Sequence, residues 1–122
     1  MSRERYYARA LNRTGRQTKT QIRYSLHLAA MKQAGEIVEY WEEPFNVKIA
    51  DGAYYKVDFM VQRFDGILEL HEVKGALGVI EEKALLKAKV VASRYPFRMI
   101  MTWPRKGGGW EYRNFSDSMT FL

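Results

Sequence analysis

The sequence predicts an α+β domain with the order α-β-β-β-α-β-β, and three observations predict it. Two segments, 19–34 and 80–95, repeat their apolar residues at helical spacing. Between and after them lie runs rich in β-branched and aromatic residues that alternate at a period of two. Gly, Pro and Asp-Gly signals punctuate those runs where turns are needed.

Taken in order, Arg3 to Asn12 has helical composition without an apolar stripe, and Thr14-Gly15-Arg16-Gln17 breaks it, so residues 1–17 read as an arm. Residues 18–122 then read as one domain. Thr18 caps a helix from Lys19 to Ala34, with Gln21, Tyr24, Ser25, Leu28 and Met31 on one face, Ile22, Leu26 and Ala29 flanking, and Gly35 at its C-terminus. That face packs on a sheet. Glu36 to Glu43 and Phe45 to Ile49, parted by Pro44, lead through Ala50-Asp51-Gly52 into a strand over Tyr54–Val61, and a further strand covers Leu68–Gly75. Three or four strands thus form an antiparallel run. After Gly75 and Gly78 a second helix spans about Ile80 to Tyr95, with Ala84, Ala88, Val91 and Tyr95 inward and Lys83, Lys87 and Arg94 on another face. Pro96 ends it. Phe97–Thr102 reads as a buried strand, Arg105-Lys106-Gly107-Gly108-Gly109 as a basic turn, and Trp110–Phe115 as the last strand.

The chemistry lies where the Tyr54–Val61 and Leu68–Gly75 strands meet. Alternation puts Leu68, Leu70, Glu72 and Lys74 on one face, so an apolar row turns abruptly into two charges. Phe64-Asp65-Gly66 fits a three-residue hairpin loop, which pairs Arg63 with Ile67 and sets Asp58 opposite Glu72. A two-residue loop would instead set Asp58 against Val73 and send the carboxylates to opposite faces. Opposed residues have Cβ atoms roughly 4.5–5.5 Å apart, where two like charges repel unless a cation lies between them. A Mg²⁺ suits this position: it prefers oxygen ligands, and with two carboxylates and one carbonyl it can activate water and neutralise a phosphodiester. Asp58, Glu72 and the Val73 carbonyl are the expected ligands, and Lys74 is expected to orient or help deprotonate the attacking water. The competing reading is a cross-strand salt bridge that decorates a hairpin.

Composition narrows the classes. At 122 residues the chain suits one domain, and without cysteine it holds neither a disulfide nor a thiolate zinc site. With only His27 and His71 a histidine-based metal site is not expected, and His71, on the face opposite Glu72, reads as structural. No apolar run approaches the roughly 18–20 residues of a membrane span, and no secretory leader is visible, so a cytoplasmic protein with no membrane contact is expected. The net charge of +6 is uneven: residues 1–35 carry eight Lys or Arg against Glu4 alone, which leaves −1 for the remaining 87. Arg3, Arg5, Arg9, Arg13, Arg16, Lys19 and Arg23 are therefore the expected contacts to a polyanion, DNA above all.

The stretch Thr18 to Trp103 resembles the PD-(D/E)XK nuclease superfamily, in particular small phage recombination endonucleases and Holliday-junction resolvases. The resemblance is carried by Thr18-Lys-Thr-Gln-Ile-Arg-Tyr24, Ala34-Gly-Glu-Ile37, Tyr55-Lys-Val-Asp-Phe59, His71-Glu-Val-Lys-Gly75 and Leu86-Lys-Ala-Lys89 leading to Tyr95-Pro96. It implies a restriction-endonuclease-like mixed sheet flanked by helices, a homodimer, dependence on Mg²⁺ or Mn²⁺, and, for a phage-encoded chain, action in the host cytoplasm. It also supports Lys87 and Lys89 as contacts to the scissile strand, with a solvated helix face as the alternative. Such nucleases usually place a Glu on the first helix, and the matching position here is Gln21; Glu4, Glu39 or Glu43 could supply the missing carboxylate instead. The superfamily's Pro is replaced by Val57.

The expected activity is thus a metal-dependent, structure-selective DNA endonuclease that cuts four-way junctions symmetrically. The alternatives are a nuclease of other branched, flap or single-stranded DNA, or a non-catalytic nucleic-acid-binding domain with a decayed centre. Trp103 and Trp110, beside the glycine turn, read as packing in preference to a wedge that enters an opened junction, and Tyr6, Tyr7, Tyr54 and Tyr55 as packing or stacking residues.

Overall fold

A computed structural model describes residues 18–76 and 81–116. The basic arm with Arg3, Arg5, Arg9, Arg13 and Arg16, the alternative ligand Glu4, and the expected start of the second helix at Ile80 lie outside the described residues.

Helix α1, Lys19–Gln33, begins on the expected cap. Thr18 Oγ1 accepts the Gln21 N–H at 3.1 Å while Gln21 Oε1 accepts the Thr18 N–H at 2.9 Å, a reciprocal capping box. At the other end Gly35, at φ 81, allows its own N–H to reach the Lys32 carbonyl and the Glu36 N–H to reach that of Met31. Tyr24, Ser25 and Leu28 are the buried residues of its inner face, as the stripe predicts, and Leu26 is exposed.

The main sheet is mixed and five-stranded, in the order β1-β4-β5-β6-β7. β1 (Ile37–Glu42), β4 (Phe59–Arg63) and β5 (Leu68–Val73) form the antiparallel run; β6 (Arg98–Pro104) is parallel to β5, and β7 (Trp110–Asn114) antiparallel to β6. Helix α2, Glu82–Arg94, belongs to the crossover that a parallel β5–β6 pair requires. The two helices cover opposite faces. Tyr24, Leu28, Ile37, Phe59, Val61 and Val73 fill the α1 side, and Tyr55, Val57, Leu70, Ala88, Val91 and Met101 lie in the core of the α2 side. Trp103 is buried in that second core, and Trp110 packs edge-on against Tyr24, so both tryptophans are packing residues. No described helix is long and apolar enough to cross a membrane.

One expected element is divided. Tyr54–Val61 is two strands: β3 (Ala53–Lys56), which pairs with β2 (Asn46–Ala50) in a separate ribbon, and β4 in the main sheet, giving five strands before α2 instead of three or four. At the join the Val57 N–H turns to the Phe45 carbonyl at 3.3 Å, and the Asp58 carbonyl accepts the Glu43 N–H at 2.8 Å. The chain changes partner there and also changes face. Tyr55 and Val57 bury on the α2 side, whereas Phe59 and Val61 bury on the α1 side.

Candidate active site

The β4–β5 loop sets the site. Arg63 donates to Ile67 across it at 2.9 Å, the Gly66 N–H returns to the Arg63 carbonyl at 2.9 Å, and Gly66 takes φ 91, a conformation that favours glycine. This is the three-residue loop expected from Phe64-Asp65-Gly66. The resulting register pairs Phe59 with His71, which sets Asp58 opposite Glu72 one residue further.

By the same register Val57 would face Val73, but Val57 has left for the ribbon. Asp58 takes its place. Its Oδ2 accepts the Val73 N–H at 2.9 Å, so a carboxylate stands where a ladder carbonyl is missing. Its Oδ1 accepts Gln21 Nε2 at 3.2 Å, which draws the first turn of α1 to the end of the sheet. Glu72 is held by two other groups: Oε1 accepts the Tyr55 hydroxyl at 2.6 Å, and Oε2 pairs with Lys74 Nζ at 3.0 Å.

Burial, and then the charge of Glu72, push the Asp58 carboxyl up to about 8, against the opposing pull of the Val73 N–H and the Lys74 ammonium. A hydrogen bond between the Asp58 and Glu72 carboxyls adds to the rise. Asp58 thus keeps a proton that a solvent-exposed aspartate would release. Tyr55 is held well above its ordinary value by burial first and by Glu72 and Asp58 next, so it remains a donor to Glu72.

The pair opens into a cleft of about 380 Å³ between the sheet, the ribbon and α2. Lys56, Lys74, Lys83 and Lys87 line it together with Asp58, Glu72 and Glu81. Lys87 therefore stands at the site, whereas Lys89 is exposed and does not line the cleft. Lys19 and Arg23 are exposed on the first turns of α1, and Arg23 lies 5.8 Å from the centre of the Trp110 ring. The sequence reading gives Tyr55 only packing or stacking and Lys83 only a place on a helix face, and it assigns Lys56 nothing. Tyr55 and Lys56 come to the cleft only because β3 leaves the main sheet.

Of the acids proposed to complete a metal site, Glu39 pairs with Lys32 at 2.8 Å on the edge strand, and Glu43 pairs with Lys56 at 2.5 Å. Among the described residues no group of three or more His, Asp or Glu side chains is arranged to hold an ion. Gln21 occupies the third place with an amide. Its oxygen is committed to the Thr18 N–H, so its NH₂ faces Asp58. On the opposite face His71 contacts the Tyr24 hydroxyl at 2.5 Å and Glu69 at 2.8 Å, a buried structural network.

Comparison with known proteins gives no relative: no family model matches the chain, and neither a curated protein nor a solved structure matches it.

Proposed function

We propose that this chain is a Mg²⁺- or Mn²⁺-dependent DNA endonuclease of the PD-(D/E)XK type that cuts four-way junctions as a homodimer. The observation that carries the reading is the junction of Asp58 and Glu72 at the broken end of β4 and β5, beside Lys74 in a cleft lined by four lysines. The α-β-β-β-α-β skeleton formed by α1, β1, β4, β5, α2 and β6 supports it, with the β2–β3 ribbon inserted between β1 and β4. Asp58 and Glu72 stand opposite each other, and Asp58, raised to about 8, holds a proton that a hard cation can displace, so the donor set fits such an ion. Asp58, Glu72 and the Val73 carbonyl are the groups that would hold it, and when bound it supplies a Lewis acid for the phosphate and lowers the pKa of a nearby water.

The chain's own residues do the rest. Lys74, tied to Glu72, aims its ammonium into the cleft, where it can orient water and offset phosphate charge. Lys83 and Lys87 hold phosphates of the strand to be cut. Gln21 and Tyr55 position Asp58 and Glu72 respectively. The junction, the two-fold dimer and a site of action in a host cytoplasm follow from the resemblance; two symmetric active sites match two symmetric cuts.

The test is a synthetic four-way junction with Mg²⁺, beside duplex, flap and single-stranded controls. Paired symmetric nicks are expected, lost in Asp58→Ala and Lys74→Ala. Cutting that survives both substitutions overturns the site, and faster cutting of a flap or single strand overturns the junction. Binding with no cleavage under any divalent ion leaves a non-catalytic nucleic-acid-binding domain.

A further inference from the structure

The end of the sheet that carries the acid pair has further cations that do not line the cleft. β6 runs beside β5, with the Lys74 N–H on the Thr102 carbonyl at 2.8 Å, so its C-terminal end leaves the sheet next to the site. Three residues further, about 10 Å at strand spacing, the chain turns back through Arg105-Lys106-Gly107-Gly108-Gly109. The turn is closed by Arg105 N–H to Gly109 O at 2.9 Å and Gly108 N–H to Arg105 O at 3.1 Å. Its three glycines have φ of 94, 122 and 81, and all five residues are exposed. The result is a thin tip whose only side chains beyond Cα are two cations.

Trp110 joins this tip to α1. Its carbonyl accepts Arg105 Nη2 at 3.4 Å, its ring lies 5.8 Å from the Arg23 guanidinium, and the ring is fixed edge-on against Tyr24 at 4.8 Å. Lys19 is one helical turn before Arg23, on the same side. Lys19, Arg23, Arg105 and Lys106 thus form a ridge, and none of them belongs to an ion pair among the described residues. Glu111, the acid beside the tip, is bonded to Trp103 Nε1 at 3.1 Å.

Lys19 and Arg23 stand on the α1 face with the Arg105-Lys106 tip tied to Trp110 beside them, whereas Lys56, Lys83 and Lys87 line the cleft on the α2 face. A single strand can follow one bank. Two such banks match two phosphate backbones on either side of a groove. We infer that Arg105 and Lys106, with Arg23 and Lys19, hold phosphates of the strand opposite the one in the cleft, so that the DNA at the cut is a duplex arm. This rests on the nuclease reading and adds the second strand to it.

The test measures affinity for a blunt duplex and for a single strand of equal length by fluorescence anisotropy, in EDTA so that nothing is cut, between about 50 and 200 mM salt. Arg105→Ala/Lys106→Ala should lower the salt slope on duplex by about 2, and Lys19→Ala by about 1, since each lost phosphate contact removes about 0.9. Both variants should bind the single strand as wild type does and keep its circular dichroism. An unchanged duplex slope overturns the ridge while leaving the nuclease reading intact. Equal losses on both forms overturn the duplex assignment, and a wild type that binds neither DNA removes the nuclease reading together with the ridge.

Discussion

Asp58 and Gln21 divide one task at the level of single residues. Both Asp58 oxygens accept hydrogen bonds, which favours the carboxylate, yet burial and the adjoining Glu72 outweigh them and hold the proton. Gln21 meets this carboxyl with a donor only because the Thr18 N–H has claimed its oxygen. A glutamate at this third helical position keeps the capping box, since either residue type can complete it. It exchanges the donor for a second negative charge. Gln21→Glu should therefore lower the stability of the metal-free protein by about 2 kcal/mol, the order expected when a buried acceptor loses its partner. With Mg²⁺ present the same charge becomes a ligand, and calorimetry should give a Kd about tenfold lower, about 1.4 kcal/mol. Mg²⁺ affinity equal to or weaker than wild type would show that position 21 lies outside the ion's reach.

Helix α1 acts at the level of elements, because its first turn is at once a cap and a support for the site. Thr18→Ala removes the hydroxyl that accepts the Gln21 N–H and should cost about 1 kcal/mol in urea unfolding. It also frees the turn that aims Gln21 at Asp58, so the cleavage rate at saturating DNA should fall while DNA affinity holds. A stability loss with an unchanged rate would disconnect the cap from the site. This cap, the glycine at the end of α1 and the Phe64-Asp65-Gly66 loop are legible in the sequence because each is decided within a few neighbouring residues. From the loop follows the opposition of Asp58 and Glu72 by simple counting. The ribbon is not legible in the same way. Tyr55, Val57, Phe59 and Val61 keep a strict alternation through the break, and only the contacts of Val57 with Phe45 and of Glu43 with Asp58 reveal that the buried face has switched. The roles of Tyr55 and Lys56 depend on that switch, so local pattern could not assign them. Lys83 and Lys87 were readable as one face of the second helix, but the cleft they line exists only once α2 has crossed over the sheet.

The two faces of the sheet impose opposite pH dependences on the whole molecule. On the α1 side burial lowers His71, against the pull of Glu69, so the folded protein keeps it neutral while the unfolded chain takes a proton below about 6.5. Burial pushes Glu69 up, but its hydrogen bond from His71, the charge of Arg63 and the Arg98 contact together hold it below its ordinary value. Both groups therefore contribute stability that is lost as pH falls, His71 from about 6.5 downward and Glu69 below about 4.5. At the site the sign reverses. Asp58, raised to about 8, retains its proton in the folded state while the unfolded chain releases it near 4, so stability falls as pH rises through that interval. Between about 4.5 and 6.5 the His71 and Asp58 contributions oppose each other, and above about 6.5 only the fall remains. The metal-free protein should show a broad maximum ending near pH 6.5 and then lose about 2 kcal/mol by pH 8, the cost of one proton over that span. Saturating Mg²⁺ takes both acids in their ionised form, so the loss above pH 6.5 should disappear while the acid limb set by His71 and Glu69 stays in place. Urea midpoints across this range, with EDTA and with Mg²⁺, measure both limbs at once. An alkaline limb that Mg²⁺ leaves unchanged would separate the acid pair from metal binding.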